Sequence, residues 1–154
     1  MKKLNLLMCA VIALLIVSCS KDDNEDNLTG EDLIIGQWKP VKDFELYNGV
    51  WDEYIYNDCD QKSRTTFEGN GKIKVTNFYS DEDSGNCIED NYGFVSASWV
   101  KISEGSYKIT STYFDDYLGK NETTIETINV SFPTSNTLKI TYSDTYYAEH
   151  SRVK

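Results

Sequence analysis

Short runs of alternating apolar and polar residues follow one another from Leu33 to the end of the chain. A period of two residues is typical of antiparallel strands with one buried and one solvated face. The clearest pair of runs, 65–68 and 72–78, flanks the turn sequence Gly69-Asn70-Gly71. No long run has helical spacing, so the pattern predicts an all-β domain.

Turn residues divide the domain into nine short runs, from which we expect about eight sequential strands. We place them over residues 37–47, 50–56, 65–68, 72–78, 95–103, 106–114, 123–132, 138–142 and 146–153, with an acidic loop at 80–91. Ile125 is out of phase with Ile128 and Val130, which predicts a bulge near Thr127. Hairpin-linked strands without crossover helices favour an up-and-down barrel, because closure removes exposed sheet edges. A two-sheet sandwich is the alternative.

The first residues follow a different pattern. Lys2 and Lys3 precede an apolar run at 6–17, which is shorter than the about 20 residues that a membrane-spanning helix needs. The run ends in Ile16-Val17-Ser18-Cys19, which indicates a lipoprotein signal peptide over 1–18. We expect the mature chain to begin at Cys19 and to be held at a membrane by lipid on this cysteine.

Residues 19–32 are acidic and poor in apolar side chains, which is typical of a disordered tether. Its start, Cys19-Ser20-Lys21-Asp22-Asp23, resembles the export signal of Bacteroidetes surface lipoproteins. The resemblance implies an outer-membrane lipoprotein displayed at the cell surface; the alternative is a solvated tether and nothing more. Residues 33–154 then form one domain.

The charge balance bears on possible partners. The chain carries 15 Lys and Arg against 25 Asp and Glu, a formal net charge of −10. Phosphate binding needs clustered basic residues, so we expect no nucleic-acid partner.

Four cysteines have distinct expected roles. Cys9 lies in the signal peptide and Cys19 accepts lipid, which leaves Cys59 and Cys87. In an oxidising compartment these two are predicted to form a disulfide. The alternative is a metal site, but the chain has one histidine and no Cys-x-x-Cys pair, so we expect neither a metal nor another cofactor.

A set of motifs resembles a known family. Gly36-Gln37-Trp38 is similar to the Gly-x-Trp motif that opens the lipocalin barrel, and the further motifs follow in order: Cys59, Thr66-Phe67, Gly69-Asn70-Gly71, Trp99-Val100-Lys101-Ile102 and Leu138-Lys139-Ile140-Thr141. This set resembles the lipocalin-like domain of Bacteroidetes lipoproteins over residues 33–154. The resemblance implies a ligand-holding barrel whose closed end is sealed by Arg152 packed over Trp38, with Gly36, Trp38 and Arg152 as structural residues.

Catalytic and calcium-binding patterns are weak. His150 and Ser151 are adjacent, and adjacent strand residues point to opposite faces, so they do not form a triad. We interpret His150 as a surface or barrel-mouth residue and expect no enzyme. The acidic segment from Asp81 fails the EF-hand spacing, although adventitious calcium there remains open.

The leading hypothesis is that the barrel binds a small hydrophobic or amphiphilic molecule. We expect the cavity to be lined by Trp99, Tyr107, Ile109, Val130 and Tyr142. Tyrosines near strand ends are candidates for the barrel mouth: Tyr47, Tyr54, Tyr56, Tyr92, Tyr113, Tyr117, Tyr146 and Tyr147. One rival is a filled barrel that acts as a protein- or glycan-interaction module of the cell envelope. A hydrolase that uses His150 is a second rival, without a supporting motif.

Overall fold

The computed structural model describes residues 32–90 and 93–154. The predicted signal peptide, Cys19 and residues 19–31 of the predicted tether lie outside these residues, as does Tyr92. Within the described residues there are eleven strands: β1 Gly36–Tyr47, β2 Val50–Ile55, β3 Arg64–Phe67, β4 Lys72–Thr76, β5 Phe78–Ser80, β6 Cys87–Glu89, β7 Phe94–Ser103, β8 Ser106–Asp115, β9 Lys120–Thr134, β10 Thr137–Ser143 and β11 Tyr146–Arg152. A 3-10 turn at Asp60–Lys62 is the one helical element of the described part.

Eight of the strands close into an antiparallel barrel. Around the wall the order is β11, β10, β9, β8, β7, β4, β3 and β1, and β1 pairs back onto β11. Each wall strand is next to the wall strand that follows it in the chain, which is the up-and-down arrangement. The predicted all-β class and the eight-stranded barrel are confirmed, and the closing pair rules out the sandwich.

The second strand lies outside the wall. Residues 36–38 of β1 pair with β3, whereas residues 42–47 of β1 pair with β2 on the same edge. All six residues of β2 are exposed. The β1–β2 hairpin therefore projects beyond the barrel, and we call that end of the barrel the mouth.

The predicted acidic loop contains regular structure. Strands β5 and β6 form a separate hairpin in which Phe78 pairs with Glu89 and Ser80 pairs with Cys87. The predicted strand 72–78 is divided because the chain leaves the wall after Thr76, where the Phe78 N–H donates to Ser63 Oγ at 2.8 Å. The loop prediction over 80–91 is corrected accordingly.

The predicted bulge near Thr127 is wrong. The β8–β9 register is unbroken, and Ile125 is 68% exposed because it simply lies on the outer face, opposite Thr110. The irregularity of β9 lies nearer its end, where its pairing with β10 shifts between Ser131 and Thr134.

On β7, simple alternation through Ala97 and Trp99 predicts that Val95 also points inward, and the structure differs at this residue. The pairing of β7 with β8 shifts between Phe94 and Ser96. The shift turns Phe94 inward, where it lines the cavity beside Ala97, and leaves Val95 half exposed.

The closed end of the barrel is sealed by the segment 32–35. Trp38 is fully buried and its Nε1 donates to the carbonyl of Ile34 at 2.8 Å. The Arg152 guanidinium carbon lies 4.2 Å from the Trp38 ring centroid, and its two terminal nitrogens donate to the carbonyls of Ile35 and Leu33 at 2.8 and 2.7 Å. The pairing that the motif resemblance implied is therefore present as a contact.

Gly36 is required at this end. Its φ is +137°, and a Cβ built on it would overlap Arg152 Nη1. Only glycine adopts this conformation readily and leaves room for the guanidinium.

The predicted disulfide between Cys59 and Cys87 is confirmed, with the two Cα atoms 5.5 Å apart. It joins the connection between β2 and β3 to strand β6. Both segments lie outside the barrel wall, and the disulfide holds them together.

Candidate functional site in the barrel interior

The barrel interior holds a cavity of about 180 Å³. Most of its wall is apolar and comes from the inward residues of neighbouring wall strands: Trp38, Phe67, Ile73, Val75, Phe94, Ala97, Ile109, Ile128, Leu138 and Ile140. Each arises from the period-two pattern, which points every second side chain to one face. The barrel is thus neither completely filled nor as open as the about 300–1,000 Å³ pockets that hold larger ligands.

Two of the five predicted ligand residues line this cavity, Ile109 and Tyr142. The other three, Trp99, Tyr107 and Val130, are buried in the packed core without lining it, so the predicted lining is corrected for them.

Two of these core residues have partners that explain their place. Trp99 Nε1 donates to the carbonyl of Glu68 at 3.0 Å, and Tyr107 donates its hydroxyl to Asp32 Oδ1. Burial alone would raise the pKa of Asp32, but the hydrogen bonds from Tyr107 and the Ile34 N–H, together with Lys101, lower it. These residues help to seal the closed end of the barrel.

The upper part of the cavity is polar. Ser111, Tyr113, Glu126 and Tyr142 contribute to its lining there, whereas His150 lies lower in the wall, opposite Leu138. Ser111 is buried, whereas Tyr113 and Tyr142 are each more than two-fifths exposed and therefore reach the mouth. The cavity has an apolar body and a polar end, which suits an amphiphilic occupant.

Asp43 lies beside this polar end and receives two hydrogen bonds. Tyr56 and Tyr146 donate their hydroxyls to Asp43 Oδ2 at 2.9 and 3.0 Å. Burial first, and then the hydrogen bond to Asp43, raises the pKa of both phenols, that of Tyr146 to about 12. Both phenols therefore stay protonated donors at neutral pH.

His150 points into the barrel from β11. Its Nε2 is buried and has no hydrogen-bond partner within the described residues. Burial lowers the pKa of His150 from 6.5 to about 4, although the nearby charge of Asp43 acts in the opposite direction. The interpretation of His150 as a surface or mouth residue is therefore corrected: it is a neutral imidazole in the cavity wall.

Sequence reasoning misplaced His150 and missed Asp43, for different reasons. Ala148, His150 and Arg152 share one strand face, so the implied inward position of Arg152 already contained the signal for His150. For Asp43 no such signal existed, because the β1–β11 register shifts between Pro40 and Lys42. Without that shift, simple alternation from Trp38 would point Lys42 inward instead of Asp43.

The tyrosines predicted for the mouth are divided among several environments. Tyr113 lines the cavity, Tyr56 and Tyr146 bind Asp43, and Tyr117 is 96% exposed in the turn after β8. Tyr147 instead stacks on Phe44 on the outside of the wall.

The wall has a weak seam between β4 and β7. Only two residue pairs join these strands, Lys72 with Ser98 and Ile73 with Ala97. A cleft of about 640 Å³ follows the seam, and Ile73, Val75, Phe94 and Ala97 line both the cleft and the cavity. The cleft on the outer surface and the cavity are therefore separated at the seam by a single layer of side chains.

Within residues 32–90 and 93–154, no group of three or more His, Cys, Asp or Glu side chains is placed to hold a metal ion. Among the same residues, no helix has the length and apolar character needed to cross a membrane.

Comparison with known proteins finds no protein-family model, no curated protein and no solved structure that matches this chain. What the geometry establishes is a closed eight-stranded β-barrel that is compatible with a lipocalin-like binding module.

Proposed function

We propose that this protein is a membrane-anchored, non-enzymatic barrel of the lipocalin-like type that binds a small hydrophobic or amphiphilic molecule. The observation that carries the proposal is the cavity of about 180 Å³ with apolar walls and a polar end. An apolar cavity of about 150 Å³ holds benzene, so a compact ligand fits this one.

The anchor in this proposal is lipid on Cys19, and the location is the outer face of the outer membrane. Residue 32, where the proposed tether joins the barrel, lies at the closed end, because Asp32 accepts the hydroxyl of Tyr107 there. The mouth lies at the opposite end of the barrel. Replacing Cys19 with alanine would release the protein from the membrane fraction, and membrane retention of this variant would contradict the anchor.

The binding proposal is tested by filling the cavity. Ala97→Leu adds a larger side chain to the cavity wall, whereas Ser131→Leu adds the same side chain to an exposed outer position. Purified protein would be compared by native and denaturing mass spectrometry for a co-purified small molecule. We expect the outer variant to retain the molecule and the Ala97→Leu variant to lose it; equal retention by both would contradict binding in the cavity.

A second candidate is an interaction module with a functionally closed barrel. It is favoured by the exposed apolar side chains of the projecting hairpin, among them Trp51 at 46% and Ile55 at 65% exposure. If no small molecule is found with the protein, chemical crosslinking on intact cells would identify envelope partners. Loss of those crosslinks in a Trp51→Ser, Ile55→Ser variant would support this candidate.

A further inference from the structure

Two buried polar atoms on the β1–β11 side of the barrel lack partners. Asp43 Oδ1 and His150 Nε2 have no hydrogen-bond partner within the described residues. Native proteins rarely leave buried polar atoms unpaired, because their lost hydration is then not replaced. Such a pair of atoms therefore points to a group that the protein receives from a ligand.

The two atoms come from diagonal positions on neighbouring strands. Asp43 of β1 pairs with Ala148 of β11, and His150 lies two residues further along the same face of β11. Ala148 between them is buried and has only a methyl side chain. Because Ala148 is small, it leaves room between the side chains of Asp43 and His150. A ligand group can enter there.

The charged side chains that line the cavity and the pocket beside Asp43 are all acidic. Glu126 lines the same cavity as His150, and Glu45 and Asp52 face each other across the hairpin on the Asp43 side. No lysine or arginine is among the residues that line the cavity or the adjoining pocket formed by Asp43, Glu45, Asp52, Tyr54 and Tyr146. Like charges directly opposite each other on strands are unfavourable, and a cation nearby relieves that repulsion.

The surrounding groups also suit a cation. His150 is neutral at pH 7 because burial lowers its pKa to about 4, so it does not repel a positive charge. The rings of Tyr142 and Tyr146 are stacked with centroids 5.4 Å apart, and aromatic faces attract organic ammonium groups.

We propose that Asp43 and His150, with Tyr142, bind the ammonium head of a small primary amine whose apolar body occupies the cavity. This inference rests on the proposed binding function and specifies its ligand class. Asp43 Oδ1 accepts a hydrogen bond from the ammonium group, and His150 Nε2 accepts a second one in its Nδ1-protonated tautomer. The cavity volume limits the body to about the size of a phenyl ring with a two-carbon chain.

Three probes with one apolar body test the head group. Phenethylamine, 2-phenylethanol and 3-phenylpropanoate would each be titrated into the purified protein at pH 7, with binding followed by calorimetry and by NMR shifts of cavity methyl groups. We expect phenethylamine to bind at least tenfold more tightly than the alcohol, and the carboxylate to bind most weakly. Equal affinity for all three would overturn the ammonium site and leave the binding function standing, whereas no binding by any probe would overturn both.

Matched variants separate local recognition from general attraction. Asp43→Asn and Glu53→Gln each remove one negative charge, but Glu53 pairs with Phe44, which faces outward and stacks on Tyr147. Only Asp43→Asn should reduce the affinity for phenethylamine, by tenfold or more, with little effect on the alcohol. An equal reduction in both variants would overturn the proposal, and the comparison of probes on the unmodified protein decides it even if Asp43→Asn does not fold.

Discussion

His150 makes the stability of the fold depend on pH in a range where carboxylates contribute little. Its pKa is 6.5 in an unfolded chain and about 4 in the folded barrel. Between these two values the unfolded state binds more protons than the folded state, so the free energy of unfolding falls as the pH falls. The contribution is fully present above pH 6.5 and is lost as the pH approaches 4.

The magnitude follows from the two pKa values. One pH unit corresponds to about 1.4 kcal/mol, so the full loss is about 3 kcal/mol and the loss at pH 5 is about 2 kcal/mol. For a domain of this size, about 2 kcal/mol lowers the melting temperature by about 8 °C.

The assay is urea unfolding of the native protein and of a His150→Gln variant from pH 7.5 to pH 4.5. Glutamine fills similar space and does not titrate, so the difference between the two pH profiles isolates the imidazole. Asp32 has a lowered pKa, and its contribution is lost only as the pH falls below its unfolded value of 3.8. If the native protein loses no more stability than His150→Gln between pH 7.5 and 5, the imidazole is not buried as described.

Three further predictions concern the closed end of the barrel and the disulfide-linked segments outside its wall. Arg152→Ala should cost about 2–4 kcal/mol, because it removes a ring contact and three hydrogen bonds to carbonyls, without changing ligand affinity; an unchanged melting temperature would refute that role. Gly36→Ala should cost about 1–2 kcal/mol more than Gly49→Ala in chemical denaturation, since both glycines have positive φ but only the first would meet a side chain; equal costs would argue against the close approach. Replacing Cys59 and Cys87 together with serine should lower the free energy of unfolding by about 2–4 kcal/mol in urea, and no loss would show that the bond is not formed in the purified protein.

Alternation predicted the barrel because most wall strands keep one face in the core. Ile73, Tyr107, Ile109 and Leu138 all lie inward as the pattern indicates. Alternation alone misplaced Ile125, because an apolar side chain also occurs on outer faces and the pattern cannot distinguish exposure from a bulge. It also missed the β5–β6 hairpin, whose three-residue strands are too short to show a period.

The site was less predictable than the fold for a related reason. A one-residue irregularity reverses every later side chain of a strand, and the shifts at Pro40–Lys42 and Phe94–Ser96 decide which residues line the cavity. Such shifts in strand pairing can hardly be recognised from the amino-acid composition of the strands. The closed end was predictable because Trp38 and Arg152 occupy motif positions, whereas Asp43 has no comparable signal.

The pairing of β1 with β11 joins the first and the last strand of the domain. The barrel cannot close before β11, the last of its wall strands in the chain, is available to pair with β1. Until then β1 and β10 each present an unpaired edge, which is a template for aggregation. Pairing across such a long sequence separation is also slow, commonly milliseconds to seconds. A chain in which β1 and β11 have not yet paired can therefore associate with other copies through these two edges.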